Sequence, residues 1–288
     1  MVMERGRKPI LDATFRVSVR DLVGFTYFSP DIFPGGGMDD LLAGTQAHQA
    51  RERAQSDEFE TEKPIRLDVE TGGECVTVFG RMDAFADGDV PCIEEIKLCA
   101  HPPTEPMPEH LAQVRLYGAM LVQQNTLEQV ELRVVYVNLQ GEAMRIFTER
   151  AQRAFLVDIL QQLLQAWLAF AIPERDRVQQ RNAWIKTLPF PFEAYRAGQR
   201  ELAVQVYTAI IRKKRLFATL PTGTGKSAAV LYPAIKALGE GKTRTVIYLT
   251  ARTTARQSPL SALERMRGQG SPMRVSTLLA KEKLCPAM

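Results

Sequence analysis

TLPTGTGKS, residues 219–227, lies between the apolar run Leu216-Phe217-Ala218 and a helical pattern that opens at Lys226. Phosphate chemistry accounts for that composition. A phosphate group needs several backbone N–H donors turned toward one point, and glycine allows both the tight turn and the close approach. A helix that follows presents its positive N-terminus to the same point. In this reading Thr222, Gly223, Thr224 and Gly225 form the cradle, Lys226 gives a point charge to the β- and γ-phosphates, and Ser227 offers its hydroxyl to Mg2+. The chain departs from the general GxxxxGK[ST] pattern at its first position, where Leu220 stands in place of glycine. The loop is expected to bind a nucleotide.

Outward from the loop, the spacing predicts a helix over 194–213, strands over 215–220 and 243–250, and helices over 226–238 and 253–267. Strands alternating with helices argue for a parallel α/β sheet. The longer stretch FPFEAYRAGQRELAVQVYTAIIRKKRLFATLPTGTGKS (190–227) resembles the start of superfamily 2 DNA helicases of the XPD/DinG (Rad3-like) group. The resemblance rests on Tyr195, Arg196, Gly198 and Gln199, followed by Pro221 to Ser227. It implies a RecA-like P-loop domain that uses ATP, with Arg196 and Gln199 at the ATP site and Gln199 reading the adenine edge. Read alone, Gln199 is a glutamine on a helix surface.

VIYLTARTTARQ (246–257) is similar to the segment of that group that touches single-stranded DNA, which implies DNA contacts for Thr250, Arg252 and Thr253. Those residue types suit phosphate contacts, and equally suit ordinary strand-to-helix capping. KEKLCPAM (281–288) looks like the start of the group's iron–sulfur insertion, with Cys285 as its first thiolate. Such clusters take four ligands, so an iron–sulfur cofactor is implied only for a longer chain.

The N-terminal half reads differently. Strand patterns cover 64–71, 74–86 and 91–98, separated by Gly72-Gly73 and Asp87-Gly88-Asp89 as turn signals. Helices are predicted over 107–125 and 149–172, strands over 129–138 and 143–148, a helix within 17–28 capped by Ser18, a loop over 29–40 and a helix over 38–54. In the third strand Glu95 and Lys97 share one face by the two-residue period, beside an aspartate, Asp83, from the strand before. Two carboxylates bind a hard cation such as Mg2+ or Mn2+ through oxygen, and a lysine offsets charge developing on a phosphate. That is the chemistry of metal-dependent phosphodiester hydrolysis.

GRMD (80–83) with Glu95-Ile96-Lys97 resembles the PD-(D/E)XK nucleases, especially their RecB-like branch. GTQAH (44–48) matches that branch's GxxxH and makes His48 a further metal ligand by resemblance. Gln113 and Tyr117 in QVRLY match its QxxxY, and a spacing of four places both on one helix face, toward DNA or the active site. The competing class is a degenerate module that binds or docks DNA for the motor without cutting it.

Charge supports the division. Residues 1–150 carry 15 basic and 25 acidic side chains, a net −10, whereas residues 151–288 carry 22 and 8, a net +14. The expected organisation is a nuclease-like α/β domain over 1–172, a linker over 173–188, and the start of a RecA-like helicase domain over 189–288. DNA, single-stranded or forked, and ATP are the expected partners. Four scattered cysteines without a CxxC pair fit a reducing, cytoplasmic setting, and no unbroken apolar run of membrane-spanning length occurs. The sequence contains no DEAH-type segment after the P-loop and no second motor lobe, so the chain by itself is expected to bind ATP weakly and not to unwind DNA. A fragment awaiting its C-terminal helicase portion, or an inactive truncated product, fits those features.

Overall fold

The computed structural model describes residues 15–27, 46–47, 50–51, 58–221, 223–251, 253–268 and 270–278. The chain divides into two compact units, Met1–Ala171 and Ile172–Met288.

The first unit is built on a six-stranded mixed sheet. β1 (Phe15–Ser18) leads into α1 (Val19–Thr26), whose Ser18 cap accepts from the Asp21 backbone N–H at 3.0 Å. β2 (Phe59–Thr71) and β3 (Glu74–Ala86) form a long hairpin turning at Gly72 and Gly73, both at positive φ, as a two-residue turn that follows strand twist requires. β2 covers one edge of β3 along its whole length. The other edge is shared: β1 runs parallel to Val76–Phe79, and β4 (Cys92–Leu98) pairs antiparallel with Ala84–Ala86. Gly80 to Asp83 fall between those two partners, so the sheet forks at that point.

From β4 the chain crosses through α2 (Pro108–Asn125) to β5 (Gln129–Val137), which is parallel to β4, and then to antiparallel β6 (Ala143–Gln152). α2 lies close on β5 because Gly118 has no Cβ: one added there would meet Leu132 at 2.9 Å and Val130 at 3.2 Å. α3 (Arg153–Thr187) buries Leu156, Leu160, Leu163, Leu164 and Leu168, a stripe at helical spacing. Over an 18-residue window α3 is also long and apolar enough to cross a membrane by length and composition, although polar residues interrupt its apolar ones.

Two expectations are corrected. The expected linker at 173–188 is the second half of α3, continuing through Pro173, and the unit boundary falls inside that helix. Its apolar end is the reason: Ile185 and Leu188 are buried in the core of the second unit with Leu231, Ile235, Ala262 and Met266. That unit contains α4 (Gln199–Ile211), α5 (Lys226–Gly239), a 3-10 turn (Thr253–Arg256) and α6 (Gln257–Arg267). Secondly, residues 215–220 and 243–250 do not form strands. A strand requires a ladder partner and burial, and here Phe217, Ile247 and Leu249 are 92%, 77% and 86% exposed while Val246 packs on the helical core. The helix expected within 17–28 is α1 with its Ser18 cap, whereas β1, which shares only Val17 and Ser18 with that stretch, is too short for its own pattern to announce it. The loop expected over 29–40 lies outside the described residues, and of the helix expected over 38–54 the residues 46–47 and 50–51 are described and helical.

Candidate metal and nucleotide sites

The fork in the sheet places two carboxylates together. The β3–β4 ladder ends at Ala84 opposite Glu94, and beyond it the N–H of Ile96 donates to Asp83 Oδ2 at 2.8 Å. That bond fixes Asp83 beside β4, on which Glu95 and Lys97 follow. Glu95 is 1% exposed; its Oε1 accepts from Lys97 Nζ at 2.5 Å, and its Oε2 is buried without a hydrogen-bond partner. Burial, and then the charge of Asp83, pushes the Glu95 carboxyl up to about 8, against the opposing pull of Lys97 and Arg20.

α2 closes the site from above. Gln113 is buried and its Oε1 lies 3.4 Å from Lys97 Nζ. One turn on, Tyr117 is hydrogen-bonded to Gln113 and to the Arg81 backbone, and its phenol is pushed up to about 12 by burial and by Glu95. The ring rests on β3 at Gly80, where an added Cβ would lie 2.7 Å from Tyr117 Cε1. The glycine of GRMD is thus the floor on which the aromatic of QVRLY lies.

The two faces of the sheet separate another expected ligand's surroundings. Glu94 and Ile96 point away from Glu95 and Lys97 by the strand period. Ala47 packs with Ile96, Val135 and Val137, and Arg51 pairs with Glu94 at 3.4 Å. Ala47 and Arg51 therefore lie on the face opposite Glu95; His48 itself is outside the described residues. Among the described residues no three of His, Cys, Asp and Glu converge. The Asp83–Glu95 pair still fits a hard divalent cation. Its donors are all oxygen, one buried oxygen lacks a partner, and Mg2+ is commonly held by one or two carboxylates, with water and substrate phosphate completing its shell.

In the second unit Gly223 and Gly225 have φ of 80° and 74°, and α5 begins at Lys226. The segment upstream grips this loop through its backbone. Arg196 Nη1 donates to the Gly223 carbonyl at 2.7 Å, and Gln199 Nε2 donates to the Gly225 carbonyl at 3.2 Å while its Oε1 accepts from the Arg196 N–H at 2.7 Å. Gln199 is 3% exposed, so it braces the loop and is not the surface glutamine that its sequence position suggests. Lys226 Nζ donates to the Leu220 and Pro221 carbonyls at 2.9 and 3.2 Å, across the base of the loop, and Thr224 Oγ1 donates to Pro221. Ser227 Oγ lies 2.8 Å from Ser258 Oγ of α6, a partner that no sequence motif marked. Tyr195 stacks on Phe190 with centroids 3.8 Å apart. Thr250 is exposed; Thr222, Arg252 and Cys285 and the side chain of Thr253 lie outside the described residues. Cys75, Cys92 and Cys99 are free thiols in or beside strands, and burial pushes Cys92 up to about 11.

The first unit thus carries a carboxylate pair with a lysine, and the second a glycine loop at the N-terminus of a helix. Residues 200–283 match the DEAD/DEAH box helicase family, which supports a superfamily 2 helicase, and with it ATP-dependent action on nucleic acid. The match includes Lys226 and Ser227 and begins one residue after Gln199. No curated protein matches the chain. Among solved structures, one described as the crystal structure of SSO0001 is similar at 18% identity, over 52% of this chain and 76% of that one, with a TM-score of 0.36.

Proposed function

We propose that the chain joins a metal-dependent nuclease domain of the PD-(D/E)XK, RecB-like kind to an ATP-binding motor segment of the XPD/DinG kind. The observation that supports the nuclease half best is the buried, unpartnered Oε2 of Glu95 beside Asp83 and Lys97. Leaving a carboxylate oxygen buried and unsatisfied costs several kcal/mol unless a cation or proton compensates it. When bound there, Mg2+ or Mn2+ supplies Lewis-acid polarisation of a phosphate and lowers the pKa of water.

The chain's own groups do the rest. Asp83 and Glu95 would hold the cation from two strands of a fork that packing has already fixed. Lys97, oriented by Glu95 and Gln113, neutralises charge that grows on the phosphoryl oxygens as the bond to the attacking oxygen forms. Tyr117, resting on Gly80, keeps Gln113 in line with Lys97. In the second unit, Arg196 and Gln199 brace the loop through the Gly223 and Gly225 carbonyls, and Lys226 and Ser227 would serve the nucleotide's phosphates and Mg2+ on exchanging their present partners in the protein.

The test is cleavage of end-labelled single-stranded DNA with Mn2+ by the wild type and by Lys97→Ala. The reading requires EDTA-sensitive cutting by the wild type and a loss of about 100-fold or more in the variant, the scale of removing one electrostatic stabiliser. Equal activity in both, or activity that survives EDTA, sinks it. A DNA-holding module without chemistry is the competing reading; salt-dependent binding with no cutting in either protein selects it.

A further inference from the structure

One histidine near the carboxylates was singled out by no motif. His110 lies in the first turn of α2, three residues before Gln113 and seven before Tyr117, so the three side chains occupy one helix face. Tyr136 of β5 stands beside Lys97 in strand register, on the same side of the sheet. The Tyr136 hydroxyl accepts from the Met107 backbone N–H at 3.0 Å and lies 2.9 Å from His110 Nδ1. Tyr136 is 1% exposed, so its hydroxyl proton needs an acceptor within the protein, and His110 Nδ1 is the acceptor within reach; we assign the proton of this bond to Tyr136. The ring is then fixed as the tautomer with hydrogen on Nε2. Among the described residues Nε2 has no protein partner, and it is not one of the buried unsatisfied atoms, so it faces solvent.

We propose that His110 is a further substrate-holding residue of the Asp83–Glu95–Lys97 site, donating its Nε2–H to a phosphate oxygen of the nucleic-acid strand held at Lys97. This rests on the nuclease reading for the identity of the site, while the phosphate contact itself does not require cutting. Three observations carry it. The Met107–Tyr136–His110 chain of hydrogen bonds sets which nitrogen donates. Gln113, on the same face, already touches Lys97. Burial, reinforced by the charge of Lys97, pulls the His110 imidazole down to about 4, so the ring adds a directed dipole rather than a second full charge beside the lysine. A neutral planar donor of fixed orientation discriminates the position of a phosphate oxygen more sharply than the point charge of an ammonium.

The experiment uses the full chain, a fluorescent single-stranded DNA oligonucleotide, and His110→Ala, His110→Gln and Tyr136→Phe. Binding is read by anisotropy with Ca2+ in place of Mn2+, and cleavage with Mn2+. A hydrogen bond to a charged oxygen corresponds to a loss of about tenfold in affinity when the donor is removed. His110→Ala should therefore raise Kd and KM about tenfold with kcat little changed. His110→Gln, whose terminal amide N–H can stand where Nε2–H stood, should recover most of the loss. Nitrogen-15 shifts of His110 should report the Nε2–H tautomer in the wild type and a mixture in Tyr136→Phe. Wild-type Kd and KM in His110→Ala, or an equal defect in His110→Gln, overturns the proposal while leaving the nuclease reading intact. DNA binding weakened by His110→Ala in a chain that never cuts supports the contact and removes the nuclease reading instead.

Discussion

Glu95 gives the candidate site a pH signature. Its carboxyl is pushed up to about 8 from an ordinary 4.5, by burial first and Asp83 second. Between those two values the folded chain holds a proton that the unfolded chain has released, so stability falls as pH rises through that window. Urea midpoints of the metal-free protein are expected to decline from about pH 5 to about pH 8, and Glu95→Gln should remove this group's share of the decline. A wild-type slope identical to that of Glu95→Gln contradicts the assignment. Gly80 makes a second residue-scale claim. A methyl group there would meet Tyr117 at 2.7 Å, on backbone held by its pairing with Ile65 of β2. Gly80→Ala should cost about 1–3 kcal/mol in a denaturation series, the range for overpacking, and should lift Tyr117 away from Gln113.

Among the elements, α3 and α5 hold a joint that sequence patterning did not reveal. Lys236 Nζ donates to the carbonyls of Ile185, Lys186 and Leu188, at 3.0, 2.9 and 3.3 Å, and so closes the C-terminus of α3. Gly239 admits Ile185, whose Cγ2 would lie 2.3 Å from an added Cβ. Gly239→Ala and Lys236→Met are each expected to destabilise the second unit by about 1–3 kcal/mol, read by its own unfolding transition. Polar, weakly periodic composition over 173–188 suggested a linker because the residues that give the helix its end, Lys236 and Gly239, lie some fifty positions away. The same distance effect hid the fork. Asp83, Glu95 and Lys97 were legible because their chemistry and two-residue spacing are local, and the β2–β3 hairpin was legible from Gly72-Gly73. That β1 and β4 leave Gly80 to Asp83 uncovered is a property of pairings between distant segments, and β1 is only four residues long. His110 and Ser258 escaped for the same reason, since each matters through a partner on another element. Gln199 was assigned to a ligand or to a surface by its motif, and the fold uses it to brace the Gly225 carbonyl. The apolar runs at 215–220 and 243–250 show the opposite failure: a pattern suited to strands, without the ladder partners that make a strand.

Across the whole molecule, the charge asymmetry of the sequence follows the division into units, with the acidic residues concentrated before Ala171. Net charge alone does not account for the metal-site chemistry, because many of the acids are spent on ion pairs. Glu94 pairs with Arg51 and Arg133, Glu131 with Arg133 and Arg150, and Glu149 with Arg115. Glu95 differs from these in keeping one oxygen buried and unpartnered. On the function proposed above, the two units would take different ligands: a divalent cation and a nucleic-acid phosphate in the first, and a nucleotide phosphate in the second, where the DEAD/DEAH box helicase match lies. The most direct test of the central claim is an electron paramagnetic resonance titration of Mn2+ into the nucleotide-free protein, comparing the wild type with Glu95→Gln. The account predicts one saturable site in the wild type that is lost or weakened at least about tenfold in Glu95→Gln, the scale on which altered metal sites lose affinity. Equal Mn2+ binding by the two proteins, or none by the wild type, contradicts it.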